Sequence, residues 1–270
     1  MLIASILGQW RQLPRRAPLL RLALTAMLLL PQACAQAPTD PEERADFVRR
    51  NDPLEPMNRK IFAFNTFVDD HLMEPVARAY HDTLPNGVQK GVHNVLTNLN
   101  EPYVGGNEIL QGKAHAAADD LGRFLINSTF GVLGIWDVAA GNGGPKGNDT
   151  DIGLTLGTWG IGEGPFLMLP FFGPSNPRDG IGLLANFWAD PVDAVINIPP
   201  GTNWAVDTRF GFNLVDTRVQ LLEPVADLKR TALDYYASVR SLYRQRRRSA
   251  LGISQPSAGT SQSEGPGDLP

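Results

Sequence analysis

Cysteine is almost absent: the one instance in 270 residues is Cys34, so no internal disulfide can form. Histidine is scarce too, and His71, His81, His93 and His115 stand singly, without the i, i+4 pair that puts two zinc ligands on one helix face. No Gly-x-x-x-x-Gly-Lys-Ser/Thr loop occurs to cradle a phosphate. Gly160-Ile161-Gly162-Glu163-Gly164-Pro165 fails as a dinucleotide loop, because proline replaces the last glycine and no Val/Ile-rich strand precedes it. Gly173-Pro174-Ser175-Asn176-Pro177 misses the nucleophile elbow by its final glycine. Asp149-Thr150-Asp151 opens like a calcium loop, but Gly160 stands where the bidentate acid belongs. These absences speak against an enzyme and leave no cofactor or metal to expect. Long apolar runs are missing as well. The uncharged stretch Leu22–Leu30 has nine residues, about half of what a membrane span needs.

That stretch follows Arg11, Arg15, Arg16 and Arg21 and precedes small residues around Ala33, so residues 1–33 read as an export signal. Cys34 then looks like the acylated first residue of a bacterial lipoprotein, whose acyl chains anchor it. Ala33 fits a lipobox, whereas Pro31 and Gln32 depart from it. The alternative is cleavage after Ala35, which discards Cys34. If Cys34 is the anchor, Ala35 supplies no inner-membrane retention aspartate, which points to the outer membrane. Removing the signal takes four arginines and no acid, leaving 20 basic residues against 28 acidic ones, a net charge near −8. Nucleic acid is therefore not an expected partner.

What the chain has in plenty is glycine, 27 residues, and proline, 22, which predicts short, interrupted helices. Residues 34–52 read as a polar tether, 53–248 as one helical domain and 249–270 as a disordered tail. Asp52 with Pro53 and Glu55 offers one helix start and Glu55 itself another. Met57, Ile61, Phe64, Val68 and Leu72 then form an apolar stripe, with Asn58 and Asn65 on a different face. A second helix after Pro85 is expected to stop at Glu101-Pro102, and a short third one to end at Gly112. Residues 113–129 are helical, with Ala117, Leu121, Phe124, Leu125 and Ser128 on one face and Arg123 beside them. Asn176-Pro177 starts another helix. Two more are expected at about 203–222 and 224–247. The last has a stripe from Val225 to Leu242 and a basic end, Arg240 to Arg248, read either as a solvated terminus or as a contact for anionic headgroups.

The chain is organised around residues 156–180. Phe166, Leu167, Met168, Leu169, Phe171 and Phe172 crowd together, and leaving all six in water forfeits on the order of 10 kcal/mol. Pro165, Pro170, Pro174 and Pro177 forbid a continuous helix, and the pattern does not alternate as a half-buried strand does. An irregular loop follows, buried either in the protein's own core or in a lipid phase.

Asp52-Pro53-Leu54-Glu55, Asn58-Arg59, Phe64-Asn65, Asn98-Leu99, Glu101-Pro102, Leu110-Gln111-Gly112, Arg123-Phe124, Asn127 and Asp137-Val138-Ala139 occur in this order. Leu156-Gly157, Gly160, Gly164-Pro165, Leu169-Pro170, Gly173 and Arg178-Asp179 complete the series. Through them the chain resembles the VacJ/MlaA family of outer-membrane lipoproteins over about residues 52 to 222. The resemblance implies an all-α, ring-like protein in the inner leaflet of the outer membrane, beside a trimeric porin. It implies a role in taking misplaced phospholipid from the outer leaflet through an amphipathic channel and passing it to a periplasmic carrier, MlaC. On that reading Phe166, Leu169, Pro170, Phe171 and Phe172 supply the channel wall or gate, and Arg178 is a headgroup contact or else forms a salt bridge to a neighbouring helix. The competing reading is a structural lipoprotein that scaffolds a porin without transport.

Overall fold

The computed structural model describes Asp40, Arg44 and residues 50–141, 143–196 and 203–253. Cys34, the signal and most of the tether and tail lie outside these residues. The described chain is helical apart from one two-stranded sheet. It forms two compact units. One unites the stretch ending at Leu72 with Gly164–Pro177; the other unites Met73–Glu163 with Arg178 onward.

The described residues of the first unit include one long helix and one hairpin. Helix α1 spans Glu55–Val68 and starts at the second of the two expected places. Strands β1, Leu167–Leu169, and β2, Gly173–Ser175, pair antiparallel with Leu167 opposite Ser175, Met168 opposite Pro174 and Leu169 opposite Gly173. The segment expected to be irregular therefore contains regular pairing. Three residues a side are too few to leave an alternation in the sequence, and Pro174 faces a position where its missing N–H matters little at the edge of a two-stranded ribbon.

In the second unit, α2 is Glu74–Thr83, reached through a π-helical turn at Asp69–Met73. Helix α3 is Asn86–Leu110 and α4 is Ala114–Thr129, the most extensively packed pair of helices. Then come α5, Val138–Gly141; α6, Ile152–Thr158; α7, Pro177–Ala189; α8, Pro191–Ile196; α9, Asn203–Gln220; α10, Leu222–Thr231; and α11, Tyr235–Ala250. Helix α7 begins at Pro177 as expected, and Gly112 ends α3 with a left-handed φ of 75°.

Two expected boundaries are corrected. Helix α3 does not stop at Glu101-Pro102 but runs through it. A proline inside a helix costs about 3 kcal/mol, and buried contacts on both sides offset it: Leu96, Asn98 and Glu101 before Pro102, and Tyr103, Val104, Asn107 and Glu108 after it. The single helix expected over 224–247 breaks instead, because Ala232 turns extended and Asp234 caps α11 by accepting from the Ala237 amide at 3.0 Å.

The largest correction concerns which face points inward. On α1 the buried residue is Asn58; of the apolar stripe, Met57, Ile61 and Val68 are part-buried, whereas Phe64, and Leu72 in the π-helical turn beyond, are exposed. On α4 the buried set is Ala117, Asp120, Arg123 and Asn127, and Leu125 is exposed. On α11 it is Tyr236 and Arg240, the latter 5.5 Å over the Tyr236 ring, with Leu242 exposed. Among the described residues 17 polar or charged side chains are buried against 12 hydrophobic ones. The reverse is normal in water.

The centre of this polar interior is the α3–α4 seam. Arg123 Nε donates to Glu101 Oε1 at 2.9 Å, its Nη2 to Asp137 Oδ2 at 3.1 Å and its Nη1 to the Pro145 carbonyl at 2.8 Å. Burial raises the Glu101 carboxyl to about 7 in spite of the arginine. Asn127 bridges Asp137 and the Ala139 amide. Removing one partner of a buried pair costs about 3–5 kcal/mol, because it strands the other charge. Arg123→Met is therefore expected to lower unfolding free energy by about that amount, and adding Glu101→Gln to recover part of it. Denaturant titration of the detergent-solubilised protein followed by circular dichroism checks both.

Candidate functional site

Three asparagines at seven-residue spacing, Asn51, Asn58 and Asn65, hold the segment from Gly164 to Phe171. Asn51 Nδ2 donates to the Gly164 carbonyl at 2.7 Å, and the Asn51 carbonyl accepts from the Phe166 amide at 2.8 Å. Asn58, fully buried, accepts from the Met168 amide at 2.9 Å while its Nδ2 donates to the Phe166 carbonyl at 3.1 Å and to Asp52 Oδ1 at 2.7 Å. Asn65 repeats the pattern, donating to the Leu169 carbonyl at 2.9 Å and accepting from the Phe171 amide at 2.8 Å.

The spacing has a geometric reason. Seven residues of helix rise about 10.5 Å, close to the ~10 Å covered by three extended residues, so successive asparagines on one helix face meet amides three residues apart in the strand. The β1 backbone thus has hydrogen bonds on the side away from β2. Asp52 serves this ladder and does not cap α1, whose N-cap, Leu54, makes no side-chain bond. Pro53 lies between Asp52 and that N-cap.

The ladder presents the hairpin turn, Pro170–Phe172. Phe171 sits at φ 66°, a left-handed backbone costly for a bulky residue. Its amide is fixed by Asn65, and its ring meets Phe64 edge-on at 5.1 Å between centroids. The sequence-derived channel residues consequently divide. Phe166 is 1% exposed, sealed with Leu167 and Met168. Leu169, Pro170 and Phe172 are part-buried, and Phe171 is 48% exposed, beside exposed Phe64 and Phe67. The apolar surface available to a partner in this unit is the turn and its helix neighbours. Gly164 has φ 68°, and a Cβ there would meet Pro177 Cγ at 3.0 Å, which explains why glycine precedes Pro165.

In the second unit Arg178 is buried, with Nε on Asp179 Oδ1 at 2.9 Å, an ion pair within its own helix and not the expected one to a neighbouring helix. A Cβ on Gly157 would lie 2.7 Å from Arg178 Nη1, so α6 needs glycine there to let the guanidinium pass. Asp179 also ion-pairs with Arg247 at 2.7 Å and accepts from the Tyr243 hydroxyl. Burial opposes its ionisation, but Arg247 and Tyr243 outweigh this and hold the carboxyl below its usual range. Arg247 reaches Asp151 at 2.5 Å, Arg244 reaches Glu163 at 2.8 Å, and Arg246 pairs with Asp149. The basic end of α11 is thus paired with acids of residues 149–179, through Arg244 and Arg247 where it is largely buried and through Arg246, which stays exposed to solvent. Asp151 additionally caps α6 through the Leu154 amide at 2.8 Å.

The same unit carries an apolar surface. After α4, Phe130 is 75% and Leu133 72% exposed, flanked by exposed Ile126, Val132 and Trp136, and Val132 and Leu133 both hold left-handed φ. Among the described residues no helix is long and apolar enough to cross a membrane.

Asn58→Ala leaves the Met168 amide and Phe166 carbonyl buried without side-chain partners, and is expected to destabilise by about 1–3 kcal/mol per orphaned group. Thermal melts in detergent, with intrinsic fluorescence as the probe, measure it.

A family model, MlaA lipoprotein, matches residues 50–250. The intermembrane phospholipid transport system lipoprotein MlaA of Shigella flexneri is 35% identical over 230 residues, covering 83% of this chain and 85% of that protein. Its namesake from Escherichia coli K12 is 34% identical with the same coverage. A solved structure described as "Structural basis for maintenance of bacterial outer membrane lipid asymmetry" superposes with a TM-score of 0.64 at 32% identity, covering 74% of this chain and 98% of the other.

Proposed function

Starting from the fact that the chain belongs to the MlaA lipoprotein family, we propose that it is the lipoprotein component of an intermembrane phospholipid transport system that maintains outer-membrane lipid asymmetry. It sits in the periplasmic leaflet of the outer membrane beside a trimeric porin, anchored through Cys34. It removes misplaced phospholipid from the outer leaflet through an amphipathic channel and passes it to the periplasmic carrier MlaC.

The observation that carries this reading is the inverted distribution of polarity. Burying a large apolar side chain is worth about 1.5–3 kcal/mol in water, so exposing Phe67, Leu72, Phe130, Leu133, Trp136 and Trp204 together costs on the order of 10 kcal/mol there, as much as a domain's stability. Against acyl chains that cost vanishes, while a polar interior becomes the favoured place for Asn58, Glu101, Asp120 and Arg123. A phospholipid in transit needs an apolar wall for its tails and polar groups for its phosphate. Leu169, Pro170, Phe171 and Phe172 supply the wall. The relatives are transport-system lipoproteins, and the transfer breaks no covalent bond, so no catalytic centre is required.

Phe171→Asp is expected to raise outer-leaflet phospholipid, measured by surface labelling of intact cells, while leaving membrane association intact. Unchanged surface phospholipid in a stably produced variant counts against the channel role. Phospholipid should also co-elute with the detergent-purified protein and pass to added carrier. Absence of both would favour a porin scaffold, and release of fatty acid or lysolipid a hydrolase.

A further inference from the structure

Helix α3 is packed unevenly along its length. Of its buried residues only Leu96 and Asn98 come from Asn86–Asn100, and the rest lie between Glu101 and Glu108. Side chains fix this rear part. Arg123 Nε donates to Glu101 at 2.9 Å, Thr155 Oγ1 to Asn107 at 2.8 Å, and Gln111, just past the helix end, donates to Thr150 at 2.7 Å.

The front part forms a body with the end of α4 and the turn after it. Asn98 Nδ2 donates to Ser128 Oγ at 2.9 Å and Asn94 Nδ2 to the Ile135 carbonyl at 3.0 Å. Gly134 comes so close that a Cβ there would lie 2.6 Å from Asn98 Cβ. This arm carries the exposed Phe130 and Leu133.

Between arm and rear part, both helices are weak at the same height. Pro102 withholds the N–H that the Asn98 carbonyl needs, and Gly105 and Gly106 follow it. Gly105 has a packing reason, because a Cβ would lie 3.0 Å from Leu121 Cγ, and that contact sets Gly122, the next residue of α4, level with it. Gly106 and Gly122 have no such reason. A Cβ on either would meet no other part of the protein within 4 Å, and neither holds a left-handed φ. Glycine there weakens the helix with no return in packing, and proline and paired glycines are where helices kink. The Glu101–Arg123 pair, next in sequence to Pro102 and Gly122, pins the two helices together at this level.

Helix α9 grips the arm from outside at two points. Asp216 Oδ2 lies 2.8 Å from His93 Nδ1, and Arg209 Nη2 donates to the Leu99 carbonyl at 3.2 Å. That carbonyl neighbours the one Pro102 leaves without its donor, and a ladder opened by proline gives an outside guanidinium access to it. Arg209 is itself largely buried and oriented by Asp190 at 2.9 Å and Asp193 at 2.6 Å. The chain enters the arm through Leu84, extended between α2 and α3, where Gln89 bridges to the His81 and Leu84 carbonyls.

We propose that α3 and α4 share a joint at Pro102–Gly106 and Gly122, about which the arm swings, and that Arg209 is the latch holding the arm in the position observed. Release of the guanidinium lets the arm bend and displaces its apolar turn. The argument uses helix packing alone and is independent of the lipid-transport reading.

Double electron–electron resonance on the full chain in detergent tests it, with spin labels on paired cysteines; under either reading of the signal, Cys34 offers no free thiol. Lys90→Cys with His115→Cys spans the joint, and Lys90→Cys with Thr129→Cys lies within the arm, all at exposed positions. In Arg209→Lys, whose single ammonium cannot serve both aspartates and the carbonyl, the distance across the joint should gain a second peak while the distance within the arm stays the same. Adding Gly106→Ala and Gly122→Ala, which restore helix propensity where a methyl has room, should shrink that second peak by about fivefold per glycine replaced. In the unaltered chain, hydrogen exchange should be faster for the amides of Val92–Leu99 than for those of Tyr103–Glu108. A single narrow distance across the joint in folded Arg209→Lys, or a second peak that survives both alanines, overturns the proposal. So does a within-arm distance that changes along with the other, which signals melting instead of swinging, or equal exchange in the two halves of α3.

Discussion

A peptide group taken out of water must find a hydrogen bond inside the protein, and beside lipid the penalty for failing rises to several kcal/mol. The β1 strand meets this requirement with almost no sheet around it. β2 serves one edge and the asparagines of α1 and its approach serve the other. A side-chain amide suits the task because it offers a donor and an acceptor in the geometry of a peptide unit, so Asn58 and Asn65 act as two rungs of a missing strand. The position of the Pro170–Phe172 turn follows from those rungs.

The same constraint organises the second unit. Glu101, Arg123, Asp137 and Asn127 satisfy one another, and Asn107, Gln111, Thr150 and Thr155 form a further network. Such networks contribute little net stability in an ordinary core. Here they go with apolar side chains left exposed on α1, α3 and α4, among them Phe64, Ile109 and Leu125. Hydrogen-bonded buried polar groups and exposed apolar side chains thus occur together, and the combination suits a protein whose surroundings include acyl chains.

Much of the fold was legible because helix signals are local. Asn176-Pro177, Gly112 and the proline-bounded segments mark helix ends whatever the solvent. What periodicity cannot supply is the sign of an amphipathic helix: it separates Asn58 and Asn65 from Phe64 and Leu72, but only an assumed aqueous exterior assigns the second set to the core. Phe64, Leu72, Leu125 and Leu242 are exposed against that assumption, while Ala117 of the expected α4 face is buried. Pro102 misled for another reason, since its cost is local and the burial that offsets it comes from α4. The hairpin was hidden by its brevity. The seven-residue recurrence of Asn51, Asn58 and Asn65, and of Glu101 and Glu108, was the available clue to the polar seams. The sealed half of the greasy segment, through Met168, and its part-exposed half, from Leu169, are separable only once the backbone is folded. The expected resemblance and helical class agree with the family match and the superposition.

An outward-facing set that includes Phe67, Phe130, Leu133 and Trp136 has a consequence for the newly made polypeptide. On the proposed route it must traverse the aqueous gap between two membranes with no comfortable free form there. Either it travels unfolded in the grip of an escort, or it travels folded with that grease masked by one. Delivery, and not only residence, is therefore shaped by the reversal of inside and outside.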